Sequence, residues 1–87
     1  KAVWRMRNFP GRKVQLVEKK FYVPKFHADV VAPYWELVTQ KWVDQVHARG
    51  QEMYVWTVND PVVAKRLAGW GVDTLISDNP ELIVNSL

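Results

Sequence analysis

Two aspartates stand close ahead of prolines: Asp60 in Thr57-Val58-Asn59-Asp60-Pro61, and Asp78 in Ile76-Ser77-Asp78-Asn79-Pro80. Carboxylates can ligate a hard divalent cation. In front of a proline they also cap helices and make turns, and that is the simpler account of both. Glu18-Lys19-Lys20 is a second candidate, because on a strand Glu18 and Lys20 would share one face; a charged exposed turn explains it with less. His27 and His47 are too few for a metal site and have no partner at ligand spacing. Trp56 and Tyr34 offer aromatic faces that suit either a pocket wall or a core. There is no cysteine, so neither a disulfide nor a thiolate site is available.

The elements that must position these groups are legible from Ala28 onward. Asp29-Val30-Val31-Ala32-Pro33 is a short apolar strand ended by proline. Thr39 is a helix N-cap, followed by Trp42, Val43 and Val46 at helical spacing. Gly50 reads as the stop, with His47 and Arg49 placed favourably near the negative helix end. Met53 to Val58 is a second strand. Asp60 and Pro61 open a second helix as N-cap and first residue. Its apolar side is Val62, Val63, Leu67 and Trp70, and Gly69 and Gly71 close it. Val72 to Ser77 is the third strand, and Pro80 to Leu87 begins a third helix. The two aspartate segments repeat one another at an offset of 19 residues: strand, acid–amide pair, proline, helix.

The front of the chain is less regular. Phe9-Pro10-Gly11-Arg12 signals a turn, Lys13 to Val17 alternates weakly with Val14 and Leu16 as core candidates, and Phe21-Tyr22-Val23-Pro24 is extended. Lys1, Arg5, Arg7, Arg12, Lys13, Lys19, Lys20 and Lys25 concentrate here against one acid, Glu18. The reading is an irregular basic lead-in over 1–27 and three βα units over 28–87. A strand apolar on both faces is buried on both faces, as in parallel sheets wrapped by helices. Strand–helix alternation in this rhythm makes right-handed βαβ units. The pattern alone leaves a doubly wound open sheet and a (β/α)₈ barrel both standing, although no glycine-rich nucleotide loop is present.

The stretch from His47 to Leu82 resembles the C-terminal end of the glycerophosphodiester phosphodiesterase family. The matching elements are His47…Gly50, Val55-Trp56-Thr57-Val58-Asn59, Gly71-Val72-Asp73 and Ile76-Ser77-Asp78-Asn79-Pro80. Val31-Ala32-Pro33 through Leu37-Val38-Thr39 suits the preceding strand and helix start. The resemblance implies an α/β fold, the C-terminal βαβαβα segment of a (β/α)₈ TIM barrel carrying strands six to eight. It implies metal-dependent hydrolysis of a glycerophosphodiester to glycerol 3-phosphate and an alcohol. A divalent cation, Mg or Ca, would be held by residues of the first half of the barrel, as would the paired catalytic histidines. On this reading the chain is the back third of such an enzyme, supplies pocket wall and scaffold, and is inactive in isolation.

Barrel sites lie at the carboxyl ends of strands. Trp56, Tyr34 and Ser77 are therefore the expected substrate-binding residues, with Trp56 resembling the family's pocket-wall tryptophan. Tyr34 or Trp35 could line the mouth or pack under the following helix. Backbone N–H groups near Ser77 to Asn79 are candidates for a phosphate contact. The family also uses a Glu-x-Lys pair on an earlier strand, but eight residues between Lys20 and Asp29 leave little room for that correspondence.

A net charge of +3 is too mild to indicate nucleic-acid binding. No apolar run reaches membrane-spanning length. Hydrophobic residues at 48% speak against disorder. Expected partners are a small phosphodiester substrate and the rest of the barrel, or a second copy across open sheet edges. The competing reading is a non-catalytic autonomous α/β binding module. The cellular compartment is left open.

Overall fold

The computed structural model describes residues 2–5, 14–17 and 29–87. Five strands and three helices follow in the order β1 (Ala2–Arg5), β2 (Val14–Val17), β3 (Val30–Pro33), α1 (Gln40–Ala48), β4 (Glu52–Val55), α2 (Pro61–Gly69), β5 (Thr74–Ser77) and α3 (Pro80–Ser86). The strands form one sheet in the order β1-β5-β4-β3-β2. Every pairing is parallel, with Val31 beside Met53 and Val55 beside Leu75. The parallel arrangement expected from doubly apolar strands is present.

Alternation along the strands explains the double burial. Val31, Met53, Val55 and Leu75 point to the helices and join Val43, Val46, Ala64, Leu67 and Ile83 in the main core. Val30, Ala32, Tyr54 and Ile76 form a smaller cluster on the opposite face, with Trp56 packed against it. Leu67, Leu75, Ile76 and Ile83 are all fully buried.

The helices begin and end for local reasons. Thr39 Oγ1 accepts the Trp42 amide at 3.2 Å and starts α1. Asp60 Oδ1 accepts the Val62 amide at 2.9 Å, with Pro61 as first residue of α2. Asn79 Oδ1 does the same for α3 toward Leu82. Two helices finish in one motif: the Gln51 amide donates to Val46 O and the Val72 amide to Leu67 O. In each, the intervening glycine supplies the left-handed turn, φ +73° at Gly50 and +93° at Gly71.

Several boundaries differ from expectation. Val72 is part of the α2 closure, so β5 starts at Thr74 rather than Val72. β4 ends at Val55, and beyond it an isolated bridge joins Trp56 to Tyr34. A turn of 3-10 helix, Trp35–Leu37, precedes α1. The Trp56–Thr57 peptide is cis. Val62 was expected on the apolar side of α2 and is 72% exposed. Successive helical residues are about 100° apart, so a buried stripe of Val63, Ala64 and Leu67 turns Val62 to solvent.

Within 1–27, expected to be irregular, the structure contains β1 beside β5 and β2 beside β3. The Phe9–Arg12 turn, the Glu18-Lys19-Lys20 pair, the Phe21–Pro24 extension, His27, and the basic residues Lys1, Arg7, Arg12, Lys13 and Lys25 lie outside the described residues.

Candidate functional site

A cleft of about 420 Å³ opens where β3, β4 and β5 end. Tyr34 and Trp35 reach it from the segment after β3. Thr57, Val58, Asn59 and Asp60 reach it from the segment after β4, Asp78 from the segment after β5, and Val63 from the first turn of α2. Three short strands stopping at one level thus bring three loops together, the usual construction of a site in a parallel α/β sheet.

Trp56 sets the spacing of the first two loops. Its indole N–H donates to Ala32 O at 2.7 Å, and its backbone N–H to Pro33 O at 3.2 Å. The Trp35 amide donates back to Trp56 O at 2.8 Å. The Tyr34 ring meets the Trp56 ring edge-on at 5.4 Å and lies 5.9 Å from that of Trp35. Trp56 is half-buried against the inner-face cluster and reaches the cleft through Tyr34, whereas Tyr34 lines the cleft directly. A tryptophan at the end of an apolar strand therefore both packs and supports the wall.

Ser77, fully buried, stands one step behind the cleft surface. Its hydroxyl donates to Asn59 Oδ1 and accepts the Asn79 amide, each at 3.0 Å. Asn59 Oδ1 also accepts the Asp78 amide, and Asn59 Nδ2 donates to Asp78 Oδ2, again at 3.0 Å. The amides of Asp78 and Asn79, candidates for a phosphate contact, thus have internal acceptors. Asp60 caps α2 as expected. Asp78 does not cap; Asn79 takes that role in α3, and Asp78 is held by Asn59. The sequence reading passed over Asn59. The signal was the repeat of 59–61 at 78–80, since two loops built alike and emerging side by side have groups to exchange.

His47 lies at the opposite end of the sheet. Its Nε2 is 2.7 Å from Asp73 Oδ2, an oxygen that also accepts the Met53 amide at 2.8 Å. Asp73 just precedes β5, so this contact ties the end of α1 to the amino end of the sheet, where barrel residues serve stability rather than chemistry. The helix dipole alone had been expected to account for His47. Among the described residues no three histidine, aspartate or glutamate side chains gather to hold a metal ion.

Residues 4–82 match the sequence model of the glycerophosphoryl diester phosphodiesterase family. Glycerophosphodiester phosphodiesterase GDPD4 of Arabidopsis thaliana is 36% identical over 55 residues, 63% of this chain and 17% of that protein. A putative glycerophosphoryl diester phosphodiesterase of Silicibacter pomeroyi superposes with a TM-score of 0.75 at 23% identity, over 84% of this chain and 29% of its own. A phosphodiesterase of Oleispira antarctica, solved in complex with the product sn-glycerol-3-phosphate, gives 0.65 at 24% identity, over 68% of this chain and 24% of its own. A glycerophosphodiester phosphodiesterase of Parabacteroides distasonis gives 0.62 at 25% identity, over 67% and 25%. The chain therefore spans less than a third of each of these relatives. The likeness gives the fold: parallel strands alternating with helices as a βαβαβα arc of a (β/α)₈ barrel.

Proposed function

Because the chain belongs to the glycerophosphoryl diester phosphodiesterase family, we propose that it is an arc of a barrel enzyme that hydrolyses glycerophosphodiesters. Water adds across one P–O bond, giving glycerol 3-phosphate and an alcohol. The observation that carries this reading is the cleft at the carboxyl ends of β3, β4 and β5, where a family barrel would hold its substrate. The product held by the Oleispira antarctica relative supports glycerol 3-phosphate as the moiety to be accommodated.

In this assignment Tyr34 forms the wall, Trp56 fixes the wall from behind, and Ser77 acts through Asn59, which lines the cleft. A divalent cation, Mg²⁺ or Ca²⁺, would neutralise charge developing on phosphate oxygens. The described residues do not fit a metal site, so we assign its ligands, and the acid–base groups, to other parts of the barrel. The remaining barrel strands, or another copy of this chain, would cover the outer edges of β1 and β2. Among the described residues no helix is long and apolar enough to cross a membrane.

The test is release of glycerol 3-phosphate from a glycerophosphodiester by the complete protein, with Mg²⁺, with Ca²⁺ and with chelator. Metal-dependent release is expected. A folded protein that releases none from any glycerophosphodiester overturns the reading.

A further inference from the structure

Resting on that assignment, we propose that Asn59 is a positioning residue whose carboxamide holds the loop Ser77–Asn79, and with it the Asp78 carboxylate, at the mouth of the cleft. A carboxamide oxygen has two lone pairs. Asn59 Oδ1 uses both, one on the Ser77 hydroxyl and one on the Asp78 amide, while Nδ2 donates to Asp78 Oδ2. Only this orientation works, because the flipped amide would aim its NH₂ at the Asp78 amide and its oxygen at the Asp78 carboxylate. The contacts join loops 18 and 19 residues apart in sequence. Ser77 relays the hold to Asn79 through the Asn79 amide, and Asn79 caps α3.

Asn59 is itself fixed from both sides. The Val58 amide donates to Ile76 O at 2.8 Å, and Asp60 caps α2. The β5 loop is thus set before any ligand arrives, which lowers the ordering cost of binding. Because the assignment puts the bond-breaking groups elsewhere in the barrel, loosening this loop should weaken holding of the substrate more than its conversion. It should therefore raise KM and leave kcat nearly unchanged.

The experiment uses the complete protein and a glycerophosphodiester substrate. Asn59→Asp keeps the shape and the acceptor, loses the donor, and sets a second carboxylate against Asp78. We expect KM about 10-fold higher, with kcat within about threefold of the unaltered protein. Combining Asn59→Asp with Asp78→Asn exchanges donor and acceptor and preserves all three hydrogen bonds, so the backbone amide of position 78 should exchange within about threefold of its rate in the unaltered protein. An unchanged KM in the single variant, or an amide in the pair that exchanges more than about tenfold faster, overturns the proposal. Hydrogen exchange provides a reading that needs no activity. In Asn59→Ala the Asp78 amide should exchange at least about tenfold faster, with α1 unaffected. Unchanged exchange there also overturns it. If the unaltered protein hydrolyses nothing, the functional assignment falls, and exchange still decides whether Asn59 holds the loop.

Discussion

At Asp73 a single carboxylate oxygen serves two partners of different worth. The His47 side chain is 38% exposed, so its contact is screened by solvent. The Met53 residue is fully buried, and its amide has Asp73 as acceptor. Removing the acceptor should therefore outweigh removing the imidazole. Asp73→Ala is expected to cost about 1–3 kcal/mol of unfolding free energy, and His47→Ala under about 1 kcal/mol, both by denaturant titration; equal losses would contradict this ranking. At Trp56 the indole N–H bridges β3 and β4 beyond the end of their ladder. Trp56→Phe keeps the ring against Tyr34 but leaves Ala32 O without that donor. Its expected cost is about 1 kcal/mol, with a rise in KM in the complete enzyme if the wall shifts.

Two glycines at the close of helix α2 have opposite requirements. Gly71 sits at φ +93°, where a side chain is strained although a Cβ would have space, with the nearest atom 3.8 Å away. Gly69 has a helical backbone and nothing within 4 Å of an added Cβ. Gly71→Ala should destabilise by about 1 kcal/mol, whereas Gly69→Ala should stabilise by roughly 0.5–1 kcal/mol. Melting temperatures moving the same way for both would refute the assignment of Gly71 as the turn residue. Leu67, fully buried where α2 meets the sheet, should cost about 2–5 kcal/mol on truncation to Ala. Elements with strong caps and stops were legible in the sequence: Thr39 with Gly50, Asp60 with Pro61, and the strands whose apolar runs imply burial on both faces. The termination of β4 at Val55 was not. Trp56 and Thr57 are half-buried and Val58 is buried, so the chain stays covered while its hydrogen bonding leaves the ladder. Nor was Asn59 legible, since a side chain that acts across 18 residues leaves no local period. The repeat marked where to look without saying what would touch.

For the molecule as a whole, the proposed assignment makes chemistry depend on groups contributed by other strands of the barrel. The chain of 87 residues expressed alone should therefore release no glycerol 3-phosphate with Mg²⁺ or Ca²⁺, and metal-dependent turnover by it would place the reactive groups here after all. The outer edges of β1 and β2, unpaired among the described residues, should also favour association, which sedimentation would read as a mass above that of the monomer. The β4 loop places Asn59, which grips the neighbouring unit, directly beside Asp60, which starts its own helix. Adjacent residues serving opposite directions leave no slack in spacing. A deletion or insertion of one residue between Trp56 and Pro61 would put the two duties out of phase. Lengthening the connection from β5 to α3 beyond Asn79 would leave both grips intact. Among otherwise acceptable length variants, the first stretch should be a gap in the survivors.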